Sequence, residues 1–274
     1  MPASIRRMFG EAVHHYDSTY YANFLPDEPV TVGDYGLLLD GAFKRLGSMS
    51  SRFGIEVEPT KPKSRSGINF NSGSGVSMQS NATATAHAPG LADGQATASI
   101  SFAYANGLFF SAAGCEIVAI ENEHMLHVQL LNLFSRGPWE AKMVAVTGIV
   151  TTKWLTLVTA AGNGAAIEIS ARAKGPMDFT ELEVAAGPKI VAERSIGTKI
   201  ISKAGTPLVR LAAVRMAGKW PLSRKTPIVK IDIDLIGEDQ PLDLSAVRDQ
   251  LLRSGGSIEE AFVFRTLEGE DEFT

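Results

Sequence analysis

The chain has 274 residues, 45% hydrophobic but only 8% aromatic, with 26 glycines, 13 prolines, one cysteine and a formal net charge of −4. Apolar content at this level buries a core and excludes a wholly disordered chain, and a lone Cys115 excludes an intrachain disulfide. No window reaches the run of about 18 apolar residues that a spanning helix needs, and MPASIRRMFGEAVHHYDS carries no apolar signal-peptide core, so the cytoplasm is the expected compartment.

Ser4 is expected to cap a short helix to about His15, with Ile5, Met8, Phe9 and Ala12 on one face and Arg6, Arg7 and Glu11 on the other. Asp40-Gly41, between apolar runs, predicts a tight hairpin. From Val76 the sequence alternates with period two: Val76, Met78, Ser80, Ala82, Ala84, Ala86 and Ala88 face one way, and Ser77, Gln79, Asn81, Thr83, Thr85 and His87 the other. After PGLADG the alternation resumes, with Ala96, Ala98, Ile100, Phe102 and Tyr104 opposed to Gln95, Thr97, Ser99 and Ser101. The two runs read as one long hairpin over 76–104.

A strand through GLFFSAA follows, then a helix predicted over 117–134 that stops at Arg136-Gly137-Pro138. A second long hairpin is expected over 143–173. Its outgoing arm is the β-branched stretch from Lys142 to Ala160, its turn Ala161-Gly162-Asn163-Gly164, and its return arm AAIEISARA. Shorter strands are expected around Leu182, Ile190, 199–202, 208–214 and 228–236, and two small capped helices over 243–253 and 257–264. The expected fold class is α+β: a twisted, mainly antiparallel sheet with long hairpins, a central helix and short terminal helices.

Chemistry is sparse. The chain has no Gly-x-Ser-x-Gly elbow, no phosphate-binding loop and no cysteine pair for zinc. His124 and His127 are neighbours on one helix but lack a third ligand, and Cys115 reads as a small buried hydrophobe. No enzyme activity, catalytic residue, metal or cofactor is expected. Charge is the more informative feature: residues 231–274 hold twelve acidic residues against three arginines, a net −9, which leaves +5 for residues 1–230. A basic body with an acidic tail fits intramolecular masking or an anionic partner, and equally an ordinary solvated acidic C-terminus. The alternating strands fit two descriptions, a half-buried sheet of a soluble β protein and a sheet that enters lipid, because both require one apolar and one polar face.

Three stretches carry a family resemblance: HMLHVQLLNLFSRGPWEAKMVAVTGIVTTKWLTL, AAIEISARAKG and ERSIGTKIISKAGTPLVRLAAVR. In pattern and element order, residues 1–220 resemble the pore-forming domain of gasdermins, bacterial members included. The resemblance implies a pore-forming domain over 1–230 and an inhibitory segment over 231–274. It implies contacts to anionic lipid from Arg6, Arg7, Lys44, Arg45, Lys61 and Lys63. It also implies membrane-inserting hairpins bearing Val76, Met78, Ala82, Ala84, Ala86, Ala98, Ile100, Phe102, Val144, Val146, Val150, Ile167 and Ile169. The implied partners are membrane lipid, further copies of the chain and an activating protease, with no nucleic acid; the protein would be cytoplasmic when inactive and at the cell membrane when active, in cell death or antiviral defence. The alternative is a non-enzymatic β-rich assembly subunit of a phage-like or secretion particle.

Overall fold

The computed structural model describes residues 3–73, 75–83, 94–173, 189–216 and 243–267. The chain begins with α1 (Ala3–Tyr16), β1 (Tyr21–Asn23), β2 (Asp34–Leu39), β3 (Ala42–Ser48), α2 (Met49–Phe53), β4 (Lys63–Arg65), β5 (Ile68–Asn71) and β6 (Val76–Thr83). It continues through β7 (Gly94–Phe102), β8 (Leu108–Ala113), β9 (Cys115–Ala119), α3 (Glu123–Arg136), β10 (Met143–Thr152), β11 (Trp154–Ala160) and β12 (Ala165–Ala173). It ends with β13 (Lys189–Arg194), β14 (Ile196–Ser202), β15 (Gly205–Met216), α4 (Leu244–Ser254), α5 (Ile258–Ala261) and β16 (Phe262–Thr266). This is the expected α+β class, and every strand pair described is antiparallel except β1–β3.

An eight-stranded sheet in the order β16-β15-β1-β3-β2-β10-β9-β4 forms the body. Because β15 also pairs with β10, from Val144↔Ala213 to Thr152↔Gly205, the strands β15, β1, β3, β2 and β10 close into a ring. Tyr21, Phe43, Val144, Val146, Val209, Leu211 and Ala213 pack together inside it. The predicted Asp40-Gly41 turn joins β2 to β3 with φ of 52° and 73°, the two left-handed residues a two-residue hairpin needs.

Helix α3 starts where Asn122 accepts the Met125 N–H at 3.1 Å and ends at Gly137 with φ 95°. Leu126, Leu130 and Phe134, one helical turn apart, face the core. The helix does not begin at residue 117 as its apolar run suggests. Residues 115–119 form β9, with Ile117 and Val118 paired to Val150 and Ile149 of β10, so long-range pairing of β-branched residues overrides the local pattern. Ser4 likewise lies inside α1 and is not its cap.

Two four-stranded sheets stand apart from the body, in the orders β14-β11-β8-β5 and β13-β12-β7-β6. Each strand of the second is the direct chain continuation of the matching strand of the first. The predicted 76–104 hairpin is β6–β7, in register from Val76↔Phe102 to Thr83↔Gln95. The second hairpin differs from expectation. β12 does not return along β11, because residues 161–164 carry the chain from one sheet into the next; β12 pairs with β7 and β13. Val144, Val146 and Val150 therefore belong to the central strand β10 of the body, buried against β15, and to no hairpin with Ile167 and Ile169. The two termini of the ERSIGTKIISKAGTPLVRLAAVR stretch also separate, since β14 pairs with β11 and β15 with β10.

The C-terminal segment is only partly as expected. α4 is capped by Asp243, which accepts from the Ser245 and Ala246 N–H groups at 2.9 and 3.3 Å. The second helix stops at Ala261; β16 replaces its remainder and adds to the edge of β15, burying Phe262 and Phe264 while Val263 faces out. Ala84, Ala86 and the strands expected near Leu182 and over 228–236 lie outside the described residues.

Candidate functional site

The distal sheet, β13-β12-β7-β6, is the feature the sequence singled out. One row runs straight across all four strands: Gln79 opposes Ser99, Ser99 opposes Glu168 and Glu168 opposes Ala192, after which the β12–β13 pairing shifts register. One residue on, Met78, Ile100 and Ile167 form the adjacent row on the other face. The first face is polar, with the Ser77 and Ser101 hydroxyls hydrogen-bonded across strands at 2.8 Å. The second is apolar, and Ile100, Phe102, Ala165, Ile167 and Ile169 are buried in one cluster with Val76 and Ile190 at its margin. Ala98 is buried and Met78, on the edge strand, is 40% exposed. At the far end Thr83, Gln95 and Arg172 share a row. Ala82 is on β6 within this sheet.

The proximal sheet anchors the distal one to the body. Phe9, Ala12 and Val13 of α1 pack on Ile68, Phe70, Leu108, Phe110 and Leu155, with ring centroids of Phe9 and Phe110 5.4 Å apart. The helix sits this close because Gly10 meets Gly41 at the β2–β3 turn; a Cβ on Gly10 would lie 2.5 Å from the Gly41 carbonyl oxygen. Cys115 is in the same cluster, its thiol pushed up from the usual range by burial.

Of the six basic residues, Arg7, Lys44, Arg45, Lys61 and Lys63 are exposed. Arg6 is ion-paired to Asp40 at 2.8 Å and lies over the Phe24 ring at 4.4 Å. Arg45 holds the buried Asp34 with two hydrogen bonds, at 2.7 and 3.0 Å, and that contact raises its pKa above the ordinary value. Arg6 thus ties α1 to the β2–β3 turn, and Arg45 ties β3 to β2.

Sequence reasoning missed the interface between α3 and the C-terminal segment. Phe262 meets Phe134 edge-on at 5.0 Å, and Phe264 packs against Trp139 and His127, each at 5.7 Å. His127 lies half-buried, its Nε2 without a hydrogen-bond partner, and burial lowers its pKa. Arg210 of β15 pairs with Glu123 at the start of α3 at 2.9 Å. The signal available was the alternation in Phe262-Val263-Phe264, which marks a strand. His124 is exposed, and among the described residues no group of three His, Cys, Asp or Glu side chains could hold a metal. Among them, too, no helix is long and apolar enough to cross a membrane, which says nothing about strands.

Comparison with protein-family models and with curated proteins gives no match. Among solved structures, the chain is similar to the gasdermin A3 membrane pore determined by cryo-electron microscopy, at 10% identity and a TM-score of 0.27, with 77% of this chain and 90% of that chain covered.

Proposed function

We propose that this is the resting form of a pore-forming protein of the gasdermin kind, in which the distal sheet enters an anionic membrane as part of an oligomeric β-barrel. The observation that carries the reading is the distal sheet itself. Two strand pairs distant in sequence lie side by side as four consecutive antiparallel strands, with one face apolar across β7 and β12. β7 and β12 are nine residues each, and a spanning β-strand takes about 9 to 11. In a barrel the row Met78–Ile100–Ile167 faces lipid and the row Gln79–Ser99–Glu168 faces the lumen, where a carboxylate is tolerated.

The remaining steps follow the same reading. Arg7, Lys44, Lys61 and Lys63 make the first contacts with anionic lipid, worth about 1 kcal/mol each near the surface. The acidic C-terminal segment restrains the resting form through β16, α4 and α5, and cleavage ahead of it by a protease frees the body. The protein then passes from cytoplasm to membrane and assembles with other copies as a cell-death or defence effector. No enzymatic activity or cofactor enters this scheme.

The test is dye release from phosphatidylglycerol–cardiolipin vesicles, using the full chain with a protease site inserted between Met216 and Asp243. Release after cleavage but not before supports the proposal. Silence in both states overturns it, and self-association in lipid-free buffer together with that silence favours the assembly-subunit alternative.

A further inference from the structure

The distal and proximal sheets meet along a line that crosses all four strands at one level. β5 passes into β6 through Gly73 and Gly75, with φ of 104° and 95°; β7 into β8 through Asn106, φ 61°; β11 into β12 through Gly164, φ 66°; and β13 into β14 through Ser195, φ 52°. Left-handed backbone interrupts an extended strand, and it is uncommon at residues other than glycine. Its appearance in four strands at the same height is one feature and not four separate irregularities.

The junctions are lateral neighbours. The Ala103 N–H donates to the Gly75 carbonyl at 2.7 Å, Asn106 to Ala160 at 3.1 Å, Ala160 to Gly107 at 2.8 Å and Ala161 to Ser195 at 2.8 Å. The Asn163 side chain accepts from the Ala105 N–H at 2.8 Å, and Arg194 donates to the Gly164 carbonyl at 2.7 Å. Bonds between antiparallel strands run perpendicular to the strands, hence along this line, and a rotation about an axis parallel to them leaves them intact.

We infer that this line is a hinge, about which β6, β7, β12 and β13 swing as a single four-stranded plate relative to β5, β8, β11 and β14. The plate moves as a unit because the β6–β7 and β7–β12 ladders are unbroken from end to end, and β13 joins them through β12 with a single register shift, between Glu168 and Ile169. The bend is held by apolar contact across the line: Phe102 and Ile167 of the plate share a cluster with Phe109, Val158 and Ala160 of the proximal sheet. Gly107 lies on this line against the Phe102 ring. A Cβ on Gly107 would lie 2.6 Å from Phe102 Cδ1. Opening exposes Phe109 and Val158, at most 2% accessible in the bent form; water opposes that exposure and an apolar medium does not. The bend therefore opens on contact with lipid. Only this driving force rests on the pore-forming reading; the hinge itself is a property of the ribbon.

Spin labels test it, placed in a Cys115→Ala background at exposed Asn69 and Gln79 across the line and at Gln79 and Ala192 within the plate. On phosphatidylglycerol–cardiolipin vesicles, with cleaved protein diluted in unlabelled copies, the Asn69–Gln79 distance lengthens toward about 33 Å, ten residues at about 3.3 Å each, while Gln79–Ala192 stays fixed. Dye release with an unchanged Asn69–Gln79 distance, or with Gln79–Ala192 changing equally, overturns the hinge and leaves the pore reading intact. If no dye is released, the pore reading fails and the hinge is decided in water. There Gly107→Ala lengthens the Asn69–Gln79 distance, and in the unmodified protein the amides of Ala103, Ala105, Asn106 and Ala161 exchange faster than those of residues 98–102 and 108–112. Equal protection along these strands, or a Gly107→Ala variant with the original distance, contradicts it.

Discussion

Arg248 of α4 donates from Nη1 to the carbonyl of Phe134 at 3.2 Å and lays its guanidinium over the same residue's ring at 5.2 Å. The Phe134 carbonyl already accepts the Gly137 N–H at 3.2 Å, and Arg248 adds a second, charged donor at the C-terminal end of α3, where a cation is favoured. The contact joins α4 of the C-terminal segment to α3 of the body.

Arg248→Ala removes a charge-assisted hydrogen bond and a cation–π contact. The expected cost is about 2 kcal/mol in urea denaturation, with faster proteolysis within 243–267. Arg248→Lys retains the charge without the planar stacking and falls between the two. A variant as stable and as protease-resistant as the parent would show that the contact does not hold the segment.

His127 makes the same interface sensitive to acid. Its imidazole packs against Phe264, with Glu123 favouring its charged form and His124 opposing it, but desolvation is the largest influence and lowers the pKa below the ordinary 6.5. The sign follows from linkage: once β16 has come away or the chain has unfolded, the histidine takes up a proton at a higher pH than in the fold. Stability is full above 6.5 and declines as pH drops from there toward the lower folded-state value. Thermal unfolding across this window is expected to fall more steeply for the parent than for His127→Leu; parallel curves would remove His127 as the cause.

Gly10→Ala separates two opposed effects. Alanine favours an isolated helix by about 1 kcal/mol over glycine, but here its Cβ meets the Gly41 carbonyl oxygen, and overpacking against backbone costs about 1–3 kcal/mol. Net destabilisation is expected from chemical denaturation. A more stable variant would mean that α1 is not clamped to the β2–β3 turn.

Met78→Lys and Gln79→Lys distinguish the two faces of the plate. Both positions are exposed at rest, so both variants fold. In a barrel a lysine at 78 points to lipid, at a cost of about 2–4 kcal/mol near the midplane, whereas one at 79 points to water. Dye release is expected to be lost in the first and kept in the second; equal activity would contradict the assigned orientation.

The faces of these strands were legible in the sequence and their partners were not. Alternation from Val76 to Phe102 identifies both arms of β6–β7 because sequence-local chemistry settles side and turn. The same kind of pattern in Ala165–Ala173 shows which residues point inward, but the neighbour of β12 is β7, more than sixty residues earlier in the chain, and periodicity carries no information about that. Gly162-Asn163-Gly164 supplied the residues of a hairpin turn, yet the structure uses Gly164 to bend a strand. β9 and β16 were missed for a related reason, since both are short apolar stretches whose state is settled by an edge of a sheet already in place. The basic residues were legible as a set, but Arg6 and Arg45 are drawn into ion pairs by Asp40 and Asp34, whose positions only the hairpin brings near.

The central claim, that the distal sheet enters lipid with one face outward, is tested most directly by an environment-sensitive fluorophore placed singly along residues 76–79 and 98–102 of the cleaved protein. On anionic vesicles the account predicts blue-shifted, lipid-quenched emission at Met78, Ile100 and Phe102, alternating with water-like emission at Ser77, Gln79, Ser99 and Ser101. Emission unchanged from that in buffer, or shifted equally at successive residues, would contradict it.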